Sequence, residues 1–273
     1  MLNEASEILG IDLNGFDVKE NNFLDDELKS QYISYIFSCA VSDILKNQGV
    51  RPTFVSGYSM GIYAAIYYCS SVGFRDGLML VKKAWDSISN ACQGKRYGMG
   101  MIIGLSESEI RNWCAAEGTT WICNQNNPHT FIISGANEAV ERILSRAKDE
   151  GALHTNHLPV SMPYHTDVLR AASVSFRDDI EKMDFNDPLF PYISGINGQV
   201  ISSAADLREE LIRNIYHHMN WFETMNQLAR QGTGIFFECG AGDGLTRNFR
   251  FIGENFKAYS IDKLEQFLTD VKA

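Results

Sequence analysis

No stretch of this sequence approaches the ~18 consecutive apolar residues of a membrane-spanning helix. The opening Met1-Leu2-Asn3-Glu4-Ala5 also lacks the basic and apolar regions of a secretory leader. A soluble, cytoplasmic protein with no membrane partner is expected. Basic residues are scarce: 24 Lys and Arg stand against 34 Asp and Glu, a formal charge of −10. No basic stripe interrupts that excess, so a nucleic-acid partner is not expected. The six cysteines, Cys39, Cys69, Cys92, Cys114, Cys123 and Cys239, lie far apart with no C-x-x-C pair, so neither a zinc knuckle nor a disulfide framework is suggested and a reducing compartment is expected. Repeats and low-complexity tracts are absent. What the chain has is 273 residues with 45% hydrophobic content, enough to bury a full core as one large domain or as a domain carrying an insertion.

The most informative stretch is Gly57-Tyr58-Ser59-Met60-Gly61. It has the G-x-S-x-G form of a nucleophile elbow, between a short strand at Thr53-Phe54-Val55-Ser56 and the apolar helical run Ile62 to Tyr68. Small residues on either side of Ser59 are expected because the backbone turns too sharply for side chains there. The Met60 amide, opening the helix, is then placed to donate to an oxyanion.

Elsewhere the periodicity predicts an alternating α/β chain. Apolar spacings of three and four mark a helix from about Lys29 to Gln48, and a second spans roughly Arg75 to Ala91. From Gly98 to Pro159 the pattern changes. Met99 to Leu105 reads as a strand, Ser106 with Glu109 forms a capping box, and Thr120 to Cys123 and Thr130 to Ser134 read as strands joined by a turn-rich connector, Asn124 to His129. A helix from Glu138 to Glu150 and a strand from His154 to Val160 complete a β-α-β-β-α-β order. Helices near 168–182, 204–217 and 221–231 follow, with strands near 190–193 and 234–238. The expected fold is α/β: an α/β-hydrolase-like parallel-sheet core over 1–96 and 161–273, with an inserted ferredoxin-like subdomain over 97–160. The glycine-rich run Cys239 to Gly244 has the look of a phosphate cradle but lacks the Lys and Ser or Thr of a P-loop, so a tight strand-to-helix connection is the expected reading.

A serine nucleophile needs a base, and six histidines are available. His129 lies in a turn. His154 and His157 are read as facing one side of an edge strand, too sparse for a metal site, so no metal is expected. His217 and His218 close a helix, where positive charge complements the dipole, and read as structural. His165 sits in the proline-bearing loop Val160-Ser161-Met162-Pro163-Tyr164-His165 directly after the insertion, where catalytic groups collect.

These residues together resemble the malonyl-CoA:acyl carrier protein transacylases, the acyltransferases of fatty-acid and polyketide synthesis, over nearly the whole chain. The elbow resembles the family's G-H-S-x-G, with Tyr58 in place of the histidine. Gln31 matches the glutamine opening the family's preceding helix, although Tyr32 replaces the usual proline. Met101 to Leu105 matches the first strand of the inserted subdomain, Pro163-Tyr164-His165 matches the catalytic-histidine loop, and Phe237 to Gly242 resembles the E-x-G-P-G turn without its proline. The resemblance implies Ser59 as nucleophile and His165 as base. It also implies Asn214 as the residue whose backbone carbonyl orients that base, Met60 as oxyanion donor, and Gln31, Tyr58 and Ala84 at the substrate. It implies no bound cofactor: coenzyme A thioester and phosphopantetheine are substrates, and the partners are acyl-CoA, an acyl carrier protein and a polyketide or fatty-acid synthase.

Two departures bear on substrate. Where malonyl-carrying members hold the free carboxylate with arginine, this chain has Ala84. The neighbouring Lys83 diverges by about 100° around the helix. A neutral acyl group is therefore expected. The chain also begins near the helix that follows the family's first strand, leaving the second oxyanion donor unassigned. The expected function is a serine acyltransferase moving a non-carboxylated acyl group between coenzyme A and a carrier protein. A hydrolase clearing carrier proteins and a catalytically weak homologue that binds a carrier protein or synthase are the alternatives.

Overall fold

The computed structural model describes residues 1–15, 26–253 and 256–272. Its elements in chain order are α1 (Leu2–Leu9), α2 (Glu27–Asn47), β1 (Val55–Ser56), α3 (Gly61–Tyr68), α4 (Phe74–Cys92), β2 (Tyr97–Ile103), α5 (Glu107–Glu117), β3 (Thr120–Asn127), β4 (Thr130–Ala136), α6 (Asn137–Asp149), β5 (His154–Leu158) and α7 (Arg170–Ile180). They continue with β6 (Tyr192–Ile193), β7 (Val200–Ile201), α8 (Ala204–Tyr216), β8 (Met219–Asn220), α9 (Trp221–Arg230), β9 (Ile235–Phe237), β10 (Lys257–Tyr259) and α10 (Leu264–Asp270). The chain is thus α/β, with two compact units: Met1–Lys82, Met183–Leu207 and Glu223–Ala273 form one, Lys83–Lys182 and Arg208–Phe222 the other.

In the first unit the strands are short. β1 runs parallel to β6, which pairs antiparallel with β7, and β9 runs parallel to β10. Ser56 Oγ donates to Ile193 O at 2.8 Å, adding a side-chain tie to the β1–β6 pair. Helix α2 packs against α3, and a hydrophobic cluster of Leu45, Tyr68, Tyr259 and Phe267, with Ile235 and Phe237 against it, joins helices to β9 and β10. Helix α2 starts on Asp26, whose carboxylate accepts from Lys29 N at 2.9 Å, a side-chain cap for an otherwise orphaned amide.

The second unit is built on a five-stranded sheet of order β5-β2-β4-β3-β8. Neighbours are antiparallel except β3 and β8, which run parallel. Ile102, Phe131 and Ile133 from the sheet pack with Ile110 and Trp113 of α5 and Val140 and Ile143 of α6. The capping box forms: Ser106 Oγ accepts from Glu109 N at 3.3 Å while Glu109 Oε2 accepts from Ser106 N at 3.0 Å.

One expectation changes. The connector from Asn124 to His129 is mostly strand, since β3 runs to Asn127 and pairs with Thr130. Its asparagines bond locally, Asn124 Nδ2 to Asn126 Oδ1 at 2.8 Å and His129 N to Asn127 Oδ1 at 2.9 Å. Their turn chemistry is therefore compatible with a continuing ladder. The strand β8, with only two residues, gave no alternation to detect.

Candidate active site

Ser59 sits in the first unit between β1 and α3 with φ of +51°, a left-handed backbone that non-glycine residues seldom adopt and that marks a nucleophile elbow. The turn closes through Gly61 N to Tyr58 O at 2.8 Å and Ile62 N to Ser59 O at 3.2 Å. A Cβ at Gly57 would lie 2.4 Å from Ile62 N and Cα, so helix α3 starts only because position 57 carries no side chain. Gly61 is different. A Cβ there meets nothing within 4 Å, which corrects the expectation that collision forbids side chains on both flanks. Tyr58, Ser59 and Met60 are each half-buried. Gly61, Ile62 and Tyr63 all donate to carbonyls of the turn, while among the described residues the Met60 amide donates to none. Gln31 lies half-buried in the first turns of α2, the helix packed on α3.

His165 and Asn214 lie together in the second unit. His165 is 5% exposed and also holds a left-handed backbone, φ +60°. Its N–H donates to Ile215 O at 2.9 Å, and next to it Thr166 Oγ1 donates to Pro163 O at 2.7 Å. Burial pushes the imidazole pKa down to about 4. Hydrogen bonding to the Asn214 backbone carbonyl opposes that fall, the nearby His218 adds to it, and the His217 carbonyl again opposes it. The ring is neutral at pH 7, the form a general base requires.

His218, expected as a charge at a helix end, is instead held neutral: burial lowers its pKa, and its Nδ1 donates to Ile122 O at 2.9 Å. His157 and His154 stand three residues apart in β5 and so face opposite sides of the sheet, correcting the expectation of one side. His157 Nε2 lies 3.0 Å from Asn137 Oδ1. Ala84 is buried in α4. Lys83 beside it pairs with Asp179 at 3.1 Å. The glycine-rich turn is filled from within: Glu238 accepts from Leu245 N and from Thr246 N and Oγ1, the last two at 2.8 Å. The amides a phosphate would need are therefore occupied. Among the described residues no three His, Cys, Asp or Glu side chains gather as a metal set. Sequence reasoning missed Ile215, His217 and His218, which contribute through backbone carbonyls or a buried ring and carry no motif.

The chain is also similar to known acyltransferases. The family model for the acyl transferase domain matches residues 18–239. The malonyl CoA-acyl carrier protein transacylase of Salmonella typhimurium is 29% identical over 265 residues, 95% of this chain and 86% of that protein. The polyketide biosynthesis protein ThaF of Burkholderia thailandensis is 30% identical over 252 residues, 91% of this chain but 22% of that protein. Among solved structures, a malonyl-transacylase in complex with its type II polyketide acyl carrier protein superposes with a TM-score of 0.89 at 27% identity, covering 99% of this chain and 89% of that one. A motif-bearing elbow, a buried neutral histidine and a domain match over most of the sequence converge, and the chain belongs to the acyl transferase domain family as an acyltransferase.

Proposed function

We propose that this protein transfers an acyl group between coenzyme A and the phosphopantetheine thiol of an acyl carrier protein through an acyl-serine intermediate on Ser59. The observation that carries the reading is the left-handed Ser59 on its elbow. In the forward half-reaction, the neutral His165 takes the Ser59 hydroxyl proton as Oγ bonds to the thioester carbonyl carbon, and the Met60 amide donates to the oxyanion. Collapse breaks the C–S bond, and the His165 proton passes to the leaving thiolate. The carrier thiol reverses these steps. Asn214, through its backbone carbonyl, orients the imidazole as a neutral counterpart of the usual aspartate. The strand order β5-β2-β4-β3 with its antiparallel neighbours supports reading 97–160 as a ferredoxin-like unit inserted in an α/β-hydrolase-like core. The named relatives, which include a transacylase bound to its carrier protein, support coenzyme A and carrier-protein substrates.

A neutral acyl group suits the substrate position. Ala84 offers a methyl where a carboxylate needs a cation, and Lys83 is engaged by Asp179. A buried, unpaired carboxylate costs several kcal/mol. Incubation with acetyl- and malonyl-thioesters of coenzyme A and carrier protein, followed by intact mass, tests the proposal. An acyl adduct that transfers to a second carrier is expected, and Ser59→Ala and His165→Ala abolish it. Release as free acid instead of transfer identifies the hydrolase, and the absence of an adduct with every thioester overturns both.

A further inference from the structure

His165 is held by the end of α8, and the first residue past its ring contacts, His218, bonds to the sheet. Its strained backbone donates to Ile215 O, and the carbonyls of Asn214 and His217 reach its ring. All three acceptors lie on the last turn of α8 and the residue beyond it, where His217 N closes the helix on Arg213 O at 2.8 Å. Directly after this collar the chain leaves the helix. The His218 ring reaches across to β3 and donates from Nδ1 to Ile122 O at 2.9 Å. The acceptor sits at an irregularity: the β3–β4 ladder passes from Ile122↔Ile133 to Asn124↔Ile132, skipping Cys123. A bulge of this kind disturbs the ladder locally and re-aims its groups. Beyond His218 the attachment becomes ordinary pairing, with Met219 and Asn220 parallel to Asn124 and Gln125 and Trp221 N donating to Asn124 Oδ1 at 3.4 Å.

We propose that His218 is a positioning residue, whose Nδ1–H bond to the bulged Ile122 carbonyl holds the collar of residues 214–217 at the distance that keeps His165 oriented. The collar carbonyls are backbone atoms, so their aim follows the placement of the segment that carries them. A helix C-terminus frays by small rotations, and each rotation moves three acceptors of His165 at once, one for its backbone N–H and two for its ring. His218 ties this end to the sheet just before strand pairing takes over. The inference rests on His165 acting as the base.

Three substitutions separate the bond from mere bulk. Asparagine places its amide nitrogen at the same number of bonds from Cα as Nδ1. Glutamine places it one bond further, and phenylalanine keeps the ring without a donor. His218→Phe and His218→Gln are expected to slow Ser59 acylation about tenfold in single turnover, the scale of one lost hydrogen bond, while His218→Asn recovers to within about twofold of wild type. In ¹⁵N spectra of labelled imidazole, His165 is expected to keep one tautomer in wild type and His218→Asn and to show mixed tautomers in His218→Gln. Equal rates for the Asn and Gln variants, or a His165 tautomer unchanged in all of them, overturn the assignment. Because the imidazole spectrum needs no turnover, a failure of the acyl-transfer reading itself would show as a missing wild-type adduct with the tautomer pattern intact.

Discussion

At the scale of single residues, the proposed chemistry turns on protonation of His165. A histidine at its ordinary pKa of about 6.5 would lose base function below neutrality, whereas burial holds this one at about 4. Acylation of Ser59 is therefore expected to stay level from neutral pH to about 5 and to fall as the pH passes through about 4. A limb centred near 6.5 in the pH profile of free-enzyme acylation would contradict the burial argument. The same shift bears on stability. The folded pKa lies below the unfolded one, so the contribution is complete above about 6.5 and is lost as pH falls from there to 4, with the unfolded state binding the extra proton. His165→Gln is expected to flatten the stability profile in that window by about 1.4 kcal/mol per pH unit, measured by urea unfolding at a series of pH values.

At the scale of elements, the elbow depends on one glycine more than on the other. Gly57→Ala pushes a methyl into the backbone of Ile62 and is expected to cost about 1–3 kcal/mol and to displace Ser59, with acylation slowed well beyond the stability loss. Gly61→Ala enters open space at the start of α3 and is expected to stay within about 0.5 kcal/mol of wild type. Thermal unfolding of the two variants side by side distinguishes them. The turn after β9 follows a similar logic: its amides converge on the Glu238 carboxylate, so Glu238→Ala is expected to destabilise the protein by about 2 kcal/mol. Much of this was legible from sequence. The capping box at Ser106, the spans of α2, α4, α6, α8 and α9, and the elbow all follow from patterns within a few residues. The two-residue β8 and the continuation of β3 through Asn124–Asn127 were not legible, because strand pairing there depends on partners supplied by distant segments.

At the scale of the whole molecule the question is which acyl group the assembled enzyme accepts. Ala84 is buried in α4 and Lys83 is held by Asp179, so acetyl-CoA is expected to load Ser59 faster than malonyl-CoA. Ala84→Arg is expected to narrow or invert that ratio. Competition between the two thioesters, read by intact mass, measures it, and a wild-type preference for malonyl would remove the argument from position 84. Sequence alone determined the family, the nucleophile candidate and most of the longer helices, because periodicity, caps and the elbow motif are written in neighbouring residues. Only the tertiary structure decided that His165 is neutral, that Gly57 and not Gly61 is sterically required, that Glu238 fills the glycine-rich turn, and that His218 donates into a strand bulge. Those properties arise from burial and from backbone carbonyls brought together out of remote segments, and a carbonyl carries no residue identity for a sequence to display.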